Sequence, residues 1–119
     1  MTNDLNPTIE EISEYAPEHA AIVQRKDAKR YYVYQHRRAD CGSVFYIGKG
    51  SQRRAYQFGS RPHYWFNALK GSQIDIEILR HDLHEPCALT IETIEMHVAR
   101  SKGEPLTNLL IPNHPGRRI

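Results

Sequence analysis

A tyrosine-rich, basic stretch at residues 31–54 holds most of the side chains that could act on a phosphate group. It reads YYVYQHRRADCGSVFYIGKGSQRR. Tyr34, His36 and Tyr46 carry groups that donate or accept protons, and Lys49 and Arg54 carry positive charge. Guanidinium and ammonium groups are suited to phosphate oxygens. What this set lacks is an acid, which must come from elsewhere in the chain.

A hairpin is the simplest element that positions these groups. Residues 31–36 are aromatic and β-branched and predict a strand, with Tyr32, Tyr34 and His36 on one face. The turn sequence Asp-Cys-Gly follows at 40–42, and residues 44–47 predict an antiparallel return strand. Strict alternation there pairs Val44 with Tyr46 on one face.

The return strand is predicted to end in a sharp exit at Gly-Lys-Gly, residues 48–50. Ser51 is a good N-cap for a helix that carries Arg53 and Arg54. Downstream, we expect a helix at 62–70, a half-buried strand at 74–78 and a long helix from Pro86 to about residue 100. Residues at helical spacing predict the apolar stripe of the long helix: Cys87, Ile91, Ile94 and Val98. The fold class is therefore α/β, more strictly α+β, with a small three-stranded antiparallel sheet flanked by helices.

Composition limits the protein to one domain, because 119 residues support a single core. Charge is uneven: there is no Lys or Arg before Arg25, whereas the following stretch to Arg61 is basic, which favours an anionic ligand. Cys41 and Cys87 lack metal-site spacing and are expected to be free thiols. No signal-like or membrane-spanning run is present, so we expect a cytoplasmic protein. We divide the chain into an N-terminal helical extension at 1–30, a core domain at 31–110 and a basic tail at 111–119.

The hairpin resembles the GIY-YIG nucleases, whose two name motifs match YVY at 32–34 and YIG at 46–48. One branch, found as small bacterial and phage proteins, looks like YVYxHR…GxxFYIGKGxxxRA, and this chain has YVYQHR, CGSVFYIGKG and SQRRA. The resemblance extends to Arg61 and Trp65, to an Ala-xxx-Glu helix ending at Glu92, and to Leu-Thr-Asn at 106–108. It covers about residues 31–110. Tyr32 departs from the family, which has Gly there.

The resemblance implies a metal-dependent endonuclease that cuts DNA phosphodiester bonds, leaving 5′-phosphate and 3′-hydroxyl ends. It gives Glu92 as the ligand of Mg²⁺ or Mn²⁺; Glu95 is the alternative, because it lies nearer to the predicted apolar stripe. One of Tyr34 and Tyr46 is expected to orient or deprotonate the attacking water, and the other to bind the phosphate or the water. Arg54 matches the motif arginine.

The remaining candidates have supporting roles. Lys49 is expected at the phosphate, His36 is either a proton shuttle or a packed strand histidine, and Asn108 is expected to support Glu92. A basic rim would hold the DNA backbone through Lys49, Arg53, Arg54, Arg61 and Lys70. Such a nuclease would either cut with low sequence preference or take its specificity from DNA structure, a homodimer or a partner. Two alternatives stay open: a non-catalytic nucleic-acid-binding module on the same fold, and a protein-interaction domain that uses the acidic N-terminal segment.

Overall fold

A three-stranded antiparallel sheet with helices on both faces forms the protein, as a computed structural model describes it for residues 6–108. Among these residues the helices are α1 (Ile9–Tyr15), α2 (Pro17–Gln24), α3 (His63–Leu69) and α4 (Glu85–Ser101), and the strands are β1 (Tyr31–Arg38), β2 (Val44–Ser51) and β3 (Ile74–Leu83). The predicted α+β class is confirmed. The predicted tail at 111–119 lies outside the described residues.

The central strand is β1, and the sheet order is β2-β1-β3. Tyr34 pairs with Gly48 on one side and with Ile78 on the other. Strand β2 is therefore an edge strand, so the outward-pointing backbone groups along it are available to other parts of the chain. The strand β3 is longer than predicted and continues to Leu83.

Two hydrophobic clusters lie on the two faces of this sheet. The first lies under α1 and α2, and its buried members are Ile12, Val23, Tyr32, Tyr34, Ala55 and Tyr56. The second lies under α4, and its buried members are Val33, Val44, Ile47, Ala88, Met96 and Ala99. Alternate residues of β1 thus enter different clusters, as the period of a strand requires. We call the two sides the tyrosine face and the helix face.

Two predictions for β2 are wrong. The partner of His36 is Tyr46 but the partner of Arg37 is Val44, so Phe45 is an extra residue in a β-bulge. The bulge places Val44 and Ile47 together on the helix face, and Tyr46 on the other. The Gly-Lys-Gly sequence does not leave the sheet, because β2 continues to Ser51. The predicted helix after Ser51 is only a short 3₁₀ turn, Arg54–Tyr56.

The apolar stripe predicted for α4 is wrong at three of its four positions, and of the four only Ile91 packs against the helix-face cluster. Cys87, Ile94 and Val98 are exposed, whereas Ala88 and Met96 are buried against the sheet. The alanines let the helix backbone approach the strands closely. This rotation of the helix turns Glu92 toward the sheet and leaves it only partly exposed.

The N-terminal helices pack against the tyrosine face of the sheet. Thr8 caps α1 with a capping box, in which its side chain accepts from the N–H of Glu11 at 3.2 Å and its own N–H donates to that carboxylate at 2.8 Å. Ile12 and Val23 then pack in the cluster that contains Tyr34. Across residues 6–108, no helix has the length and apolar character needed to cross a membrane.

Candidate active site

Tyr34 and Arg61 form the centre of the tyrosine face. Arg61 is buried although it is charged, and its guanidinium donates to the Tyr34 hydroxyl at 2.9 Å and to the Arg54 carbonyl at 2.8 Å. The same guanidinium lies over the ring of Tyr46, 5.1 Å from its centroid. Burial, and then the neighbouring Tyr46, raise the pKa of Tyr34, and the Arg61 cation opposes this only in part. Tyr34 therefore keeps its proton and can donate it in a hydrogen bond.

Gly48 and Gly50 provide the space that these side chains occupy. A Cβ on Gly48 would lie 2.6 Å from the Tyr34 hydroxyl oxygen, and a Cβ on Gly50 would lie 2.6 Å from Cβ of Arg54. Contacts this short are not tolerated, so any larger residue would displace its neighbour. The glycines of the Gly-Lys-Gly sequence therefore serve close approach within a strand, rather than a turn.

The loop after β2 is held by the side chains of β1. The hydroxyl of Tyr32 donates to the Gln52 carbonyl at 2.5 Å and accepts from the Ala55 N–H at 3.1 Å. His36 bonds the carbonyl of Ala55 at 2.8 Å through Nε2. Tyr32, the residue that departs from the GIY-YIG pattern, thus fixes the backbone next to Arg54.

His36 cannot be the predicted proton shuttle. It is fully buried, its Nε2 is bonded to the Ala55 carbonyl, and its Nδ1 accepts from the Trp65 indole N–H at 3.1 Å. Both ring nitrogens are therefore used within the protein, which fixes the neutral tautomer with the proton on Nε2. Burial lowers the pKa of His36 to about 3. This is the packed strand histidine that was the alternative to the shuttle.

Tyr46 and Arg54 lie closer to solvent than Tyr34. Tyr46 stacks on His36 with a centroid separation of 5.6 Å and is partly exposed. Its hydroxyl has no hydrogen-bond partner among residues 6–108, unlike that of Tyr34. Arg54 is also partly exposed, and one of its guanidinium nitrogens donates to Ser60 at 3.3 Å. Both groups are positioned to contact a ligand from solvent.

Glu92 lies on the helix face, beside Lys49. Burial raises the pKa of Glu92, and the ammonium and backbone N–H of Lys49 oppose that rise. The N–H of Ile47 points out of the sheet, to Asn108, and backbone groups two residues apart on a strand point the same way. The Lys49 N–H therefore points outward as well, and Glu92 meets β2 at its outer edge. Glu95 instead lines a groove with Gln35, further toward the hairpin turn.

Asn108 takes the place of a fourth strand along this edge. Its amide group accepts from the Ile47 N–H at 3.1 Å and donates to the Ile47 carbonyl at 2.8 Å. Just before it, Thr107 donates its N–H to the Phe45 carbonyl at 2.7 Å, and Glu104 accepts from the Val44 N–H at 3.0 Å. Asn108 thus supports β2 itself, one residue before Gly48.

The five predicted rim residues do not form one surface. Lys49 is paired with Glu85 at 2.9 Å on the helix face, and Arg53 donates to the Pro7 carbonyl at 3.1 Å. Arg61 is in the interior of the site, not on its rim. Lys70 is the C-cap residue of α3. Shortly after it, the Gln73 carbonyl accepts from the Ala39 N–H at the hairpin turn, so Lys70 lies at the opposite end of the sheet from Gly50. Only Arg54 is both beside the tyrosines and accessible.

The donor set fits a metal ion that takes a single protein carboxylate. Within residues 6–108, no three His, Cys, Asp or Glu side chains are grouped so that they could share one ion. Mg²⁺ keeps several waters and is commonly bound by one or two carboxylates together with substrate phosphates, and Mn²⁺ shares its preference for oxygen ligands. Glu92, held at the edge of β2, fits such a site.

Sequence reasoning placed Arg61 near the site only as a rim residue and missed its central position. The signal was the Arg-Pro pair at 61–62 before an aromatic helix, which fixes Arg61 just ahead of α3. Comparison with known proteins adds nothing to these residues, because no family model, curated protein or solved structure matches the chain.

Proposed function

We propose that this protein is a metal-dependent endonuclease that hydrolyses phosphodiester bonds in DNA and leaves 5′-phosphate and 3′-hydroxyl ends. The proposal combines the resemblance of residues 31–110 to the GIY-YIG nucleases with the geometry around β2. The proposed function does not depend on any one side chain. It rests on the way in which groups from the two faces of the sheet approach one short segment of backbone.

The observation that supports the proposal best is the convergence at Gly48 and Lys49. The hydroxyl of Tyr34 occupies the space above Gly48, and Glu92 lies beside Lys49 on the opposite face, where Lys49 opposes the rise in the Glu92 pKa. Consecutive Cα atoms are only about 3.8 Å apart. A phosphate in the groove lined by Lys49, Gly50 and Arg54 would therefore lie beside both halves.

Charge on the phosphate would be balanced by the tyrosine face. Tyr34 is fully buried and its hydroxyl accepts from Arg61, so it would act by holding the Arg61 guanidinium in place. Arg54 presents a guanidinium from the adjoining loop, a group suited to bidentate contact with phosphate. Because these donors are already fixed by the fold, they need little reorganisation when negative charge develops in the transition state.

The attacking water would be oriented by Tyr46. Its hydroxyl is free of partners in the described part of the chain, and the Arg61 guanidinium lies over its ring. Glu92 would hold Mg²⁺ or Mn²⁺, and a bound divalent ion supplies Lewis-acid stabilisation of the phosphate and of the leaving oxygen. Asn108 would keep the backbone beside Gly48 in place.

Incubation of supercoiled plasmid with the purified protein in Mg²⁺ or Mn²⁺ tests this proposal. We expect nicked and linear products, none with EDTA, and ends that a ligase rejoins without prior phosphorylation. Glu92→Gln, Tyr46→Phe and Arg54→Ala should each lower the rate by roughly 10²-fold or more. Glu95→Gln, on the same helix but facing another part of the sheet, is the matched control and should retain near wild-type activity.

Two outcomes would contradict the proposal. If cleavage persisted undiminished in Glu92→Gln and Tyr46→Phe, the activity would not come from this site. If the wild type bound DNA but cut neither DNA nor RNA with either metal ion, the non-catalytic binding module would be the better description. Cleavage of RNA alone would replace the substrate class while leaving the assigned site intact.

A further inference from the structure

A groove lies beside the candidate site, on the outer side of the loop that follows β2. Its volume is about 620 Å³, and its walls are the N-terminal segment with α1 and α2 on one side and the loop at 52–57 on the other. A smaller groove of about 390 Å³ lies against Lys49, Gly50 and Arg54. Gln52 and Gln57 line both grooves, so the two adjoin at these residues.

The chemistry of the larger groove suits a nucleic-acid strand. Lys26 and Arg53 are exposed cations in its lining, and Gln24, Gln52 and Gln57 add exposed amide groups. Lys and Arg bind backbone phosphates, and Gln side chains bond to phosphates, sugars and base edges. Glu10 is the one carboxylate in this described lining.

The backbone at Gln52 adds a separate observation. Gln52 has a φ of 54°, in the left-handed region that glycine adopts most easily. The Tyr32 hydroxyl holds this conformation through its bond to the Gln52 carbonyl. A non-glycine residue in a strained position at the junction of two grooves points to a use for its side chain.

We propose that the groove between α1, α2 and the loop at 52–57 binds the substrate strand beyond the phosphate that is cut. The strand passes Arg54, crosses Gln52 and Gln57, and continues to Arg53 and Lys26. This inference rests on the proposed nuclease function and gives the N-terminal segment, which lies outside the family resemblance, a role in substrate binding.

Fluorescence anisotropy with a labelled single-stranded DNA 12-mer tests this path. The protein carries Glu92→Gln and the buffer contains Mg²⁺, so that binding is measured without cleavage. We expect Lys26→Ala to weaken binding about threefold to tenfold and to reduce the slope of log K against log salt by about 0.7, the value for one phosphate contact on a single strand. Gln52→Gly, which keeps the backbone conformation, should also weaken binding, and Glu10→Gln should strengthen it.

Lys102→Ala is the matched control, because Lys102 is an exposed lysine beyond α4, near Glu95. Equal affinities and salt slopes for Lys26→Ala and Lys102→Ala would overturn the groove proposal, as would wild-type affinity in Gln52→Gly. These results are independent of plasmid cleavage. A Lys26-dependent contact in a protein that cuts nothing would support the groove and contradict the nuclease, whereas cleavage without that contact would do the reverse.

Discussion

Glu92 is a carboxylate in a position that costs stability when it is charged. Burial makes its pKa higher in the folded protein than in the unfolded chain, so the folded state loses stability as the pH rises and the group ionises. Glu92→Gln removes that charge and keeps an oxygen for the Lys49 N–H. We predict that this variant is more stable than wild type at neutral pH, by roughly 0.5–2 kcal/mol, although it should be inactive. Urea unfolding measures the difference, and an unchanged or lower midpoint would contradict it.

His36 should have the opposite dependence on pH. The folded protein keeps it neutral to about pH 3, whereas an unfolded histidine takes up a proton near 6.5. The neutral His36 side chain therefore contributes its full stabilisation above pH 6.5, and this stabilisation is lost as the pH falls toward 3. We predict that His36→Ala lowers the unfolding free energy by about 2–4 kcal/mol near pH 7.5, because Trp65 and Ala55 lose their partner.

The difference in unfolding free energy between wild type and His36→Ala should be about 2 kcal/mol smaller near pH 5 than near pH 7.5. The change is 1.36 kcal/mol for each pH unit below the pKa of the unfolded histidine. Urea unfolding of both proteins at the two pH values measures this change. A difference that stays constant would mean that His36 takes up its proton as readily in the folded protein as in the unfolded chain.

Single residues were predictable where their identity alone suggests chemistry. The tyrosines, Arg54 and Glu92 were selected from the sequence, and the structure brings them around one segment of β2. Arg61 was misjudged because an arginine is normally a surface residue, and only tertiary packing shows that its guanidinium is satisfied by Tyr34, Arg54 and Gln57. The role of His36 likewise depends on Trp65, 29 residues away in the chain.

At the scale of elements, β1 acts as the support for the loop that carries Arg54. Tyr32→Phe removes a hydroxyl that serves the Gln52 carbonyl and leaves the buried Ala55 N–H without a partner. We predict a loss of about 1–3 kcal/mol in unfolding free energy, together with slower cleavage, because Arg54 would be less well fixed.

Tyr46→Phe is the comparison for that prediction. Its hydroxyl makes no bond within residues 6–108, so its removal should slow cleavage without lowering the urea midpoint. Thermodynamic and kinetic measurements on the two variants separate support from catalysis. If Tyr32→Phe were as stable as wild type, the loop would not depend on β1 in the way we describe.

The boundaries of the elements were predictable, but their faces were less so. Strand and helix periodicities located β1, β3, α3 and α4 to within a few residues, apart from the C-terminal half of β3. The bulge at Phe45 reversed the alternation of β2, and nothing in the sequence marks it. In α4 the face toward the sheet contains Glu92 and small alanines. The exposed face, which carries Ile94, is the more apolar of the two in sequence, so the helical periodicity selected the wrong face.

The whole molecule uses its sheet as a partition, with the tyrosines on one face and Glu92 on the other. The two faces meet at the edge strand β2, and residues 104–108 bond along that edge as far as Ile47. The position of the site thus follows from strand order, which the sequence did not reveal. It also makes the N-terminal helices necessary, since they close the tyrosine face.

This dependence on the N-terminal helices gives the last prediction. Ile12, in α1, is fully buried against the cluster that contains Tyr34, whereas Ile94, in α4, is 52% exposed. Ile12→Ala should therefore cost about 2–5 kcal/mol of unfolding free energy, while Ile94→Ala should change it by about 0.5 kcal/mol or less. Chemical denaturation of the two variants measures the contrast. Equal costs would mean that residues 6–24 are a detachable extension, in which case a protein lacking them should keep its fold, its site and its activity.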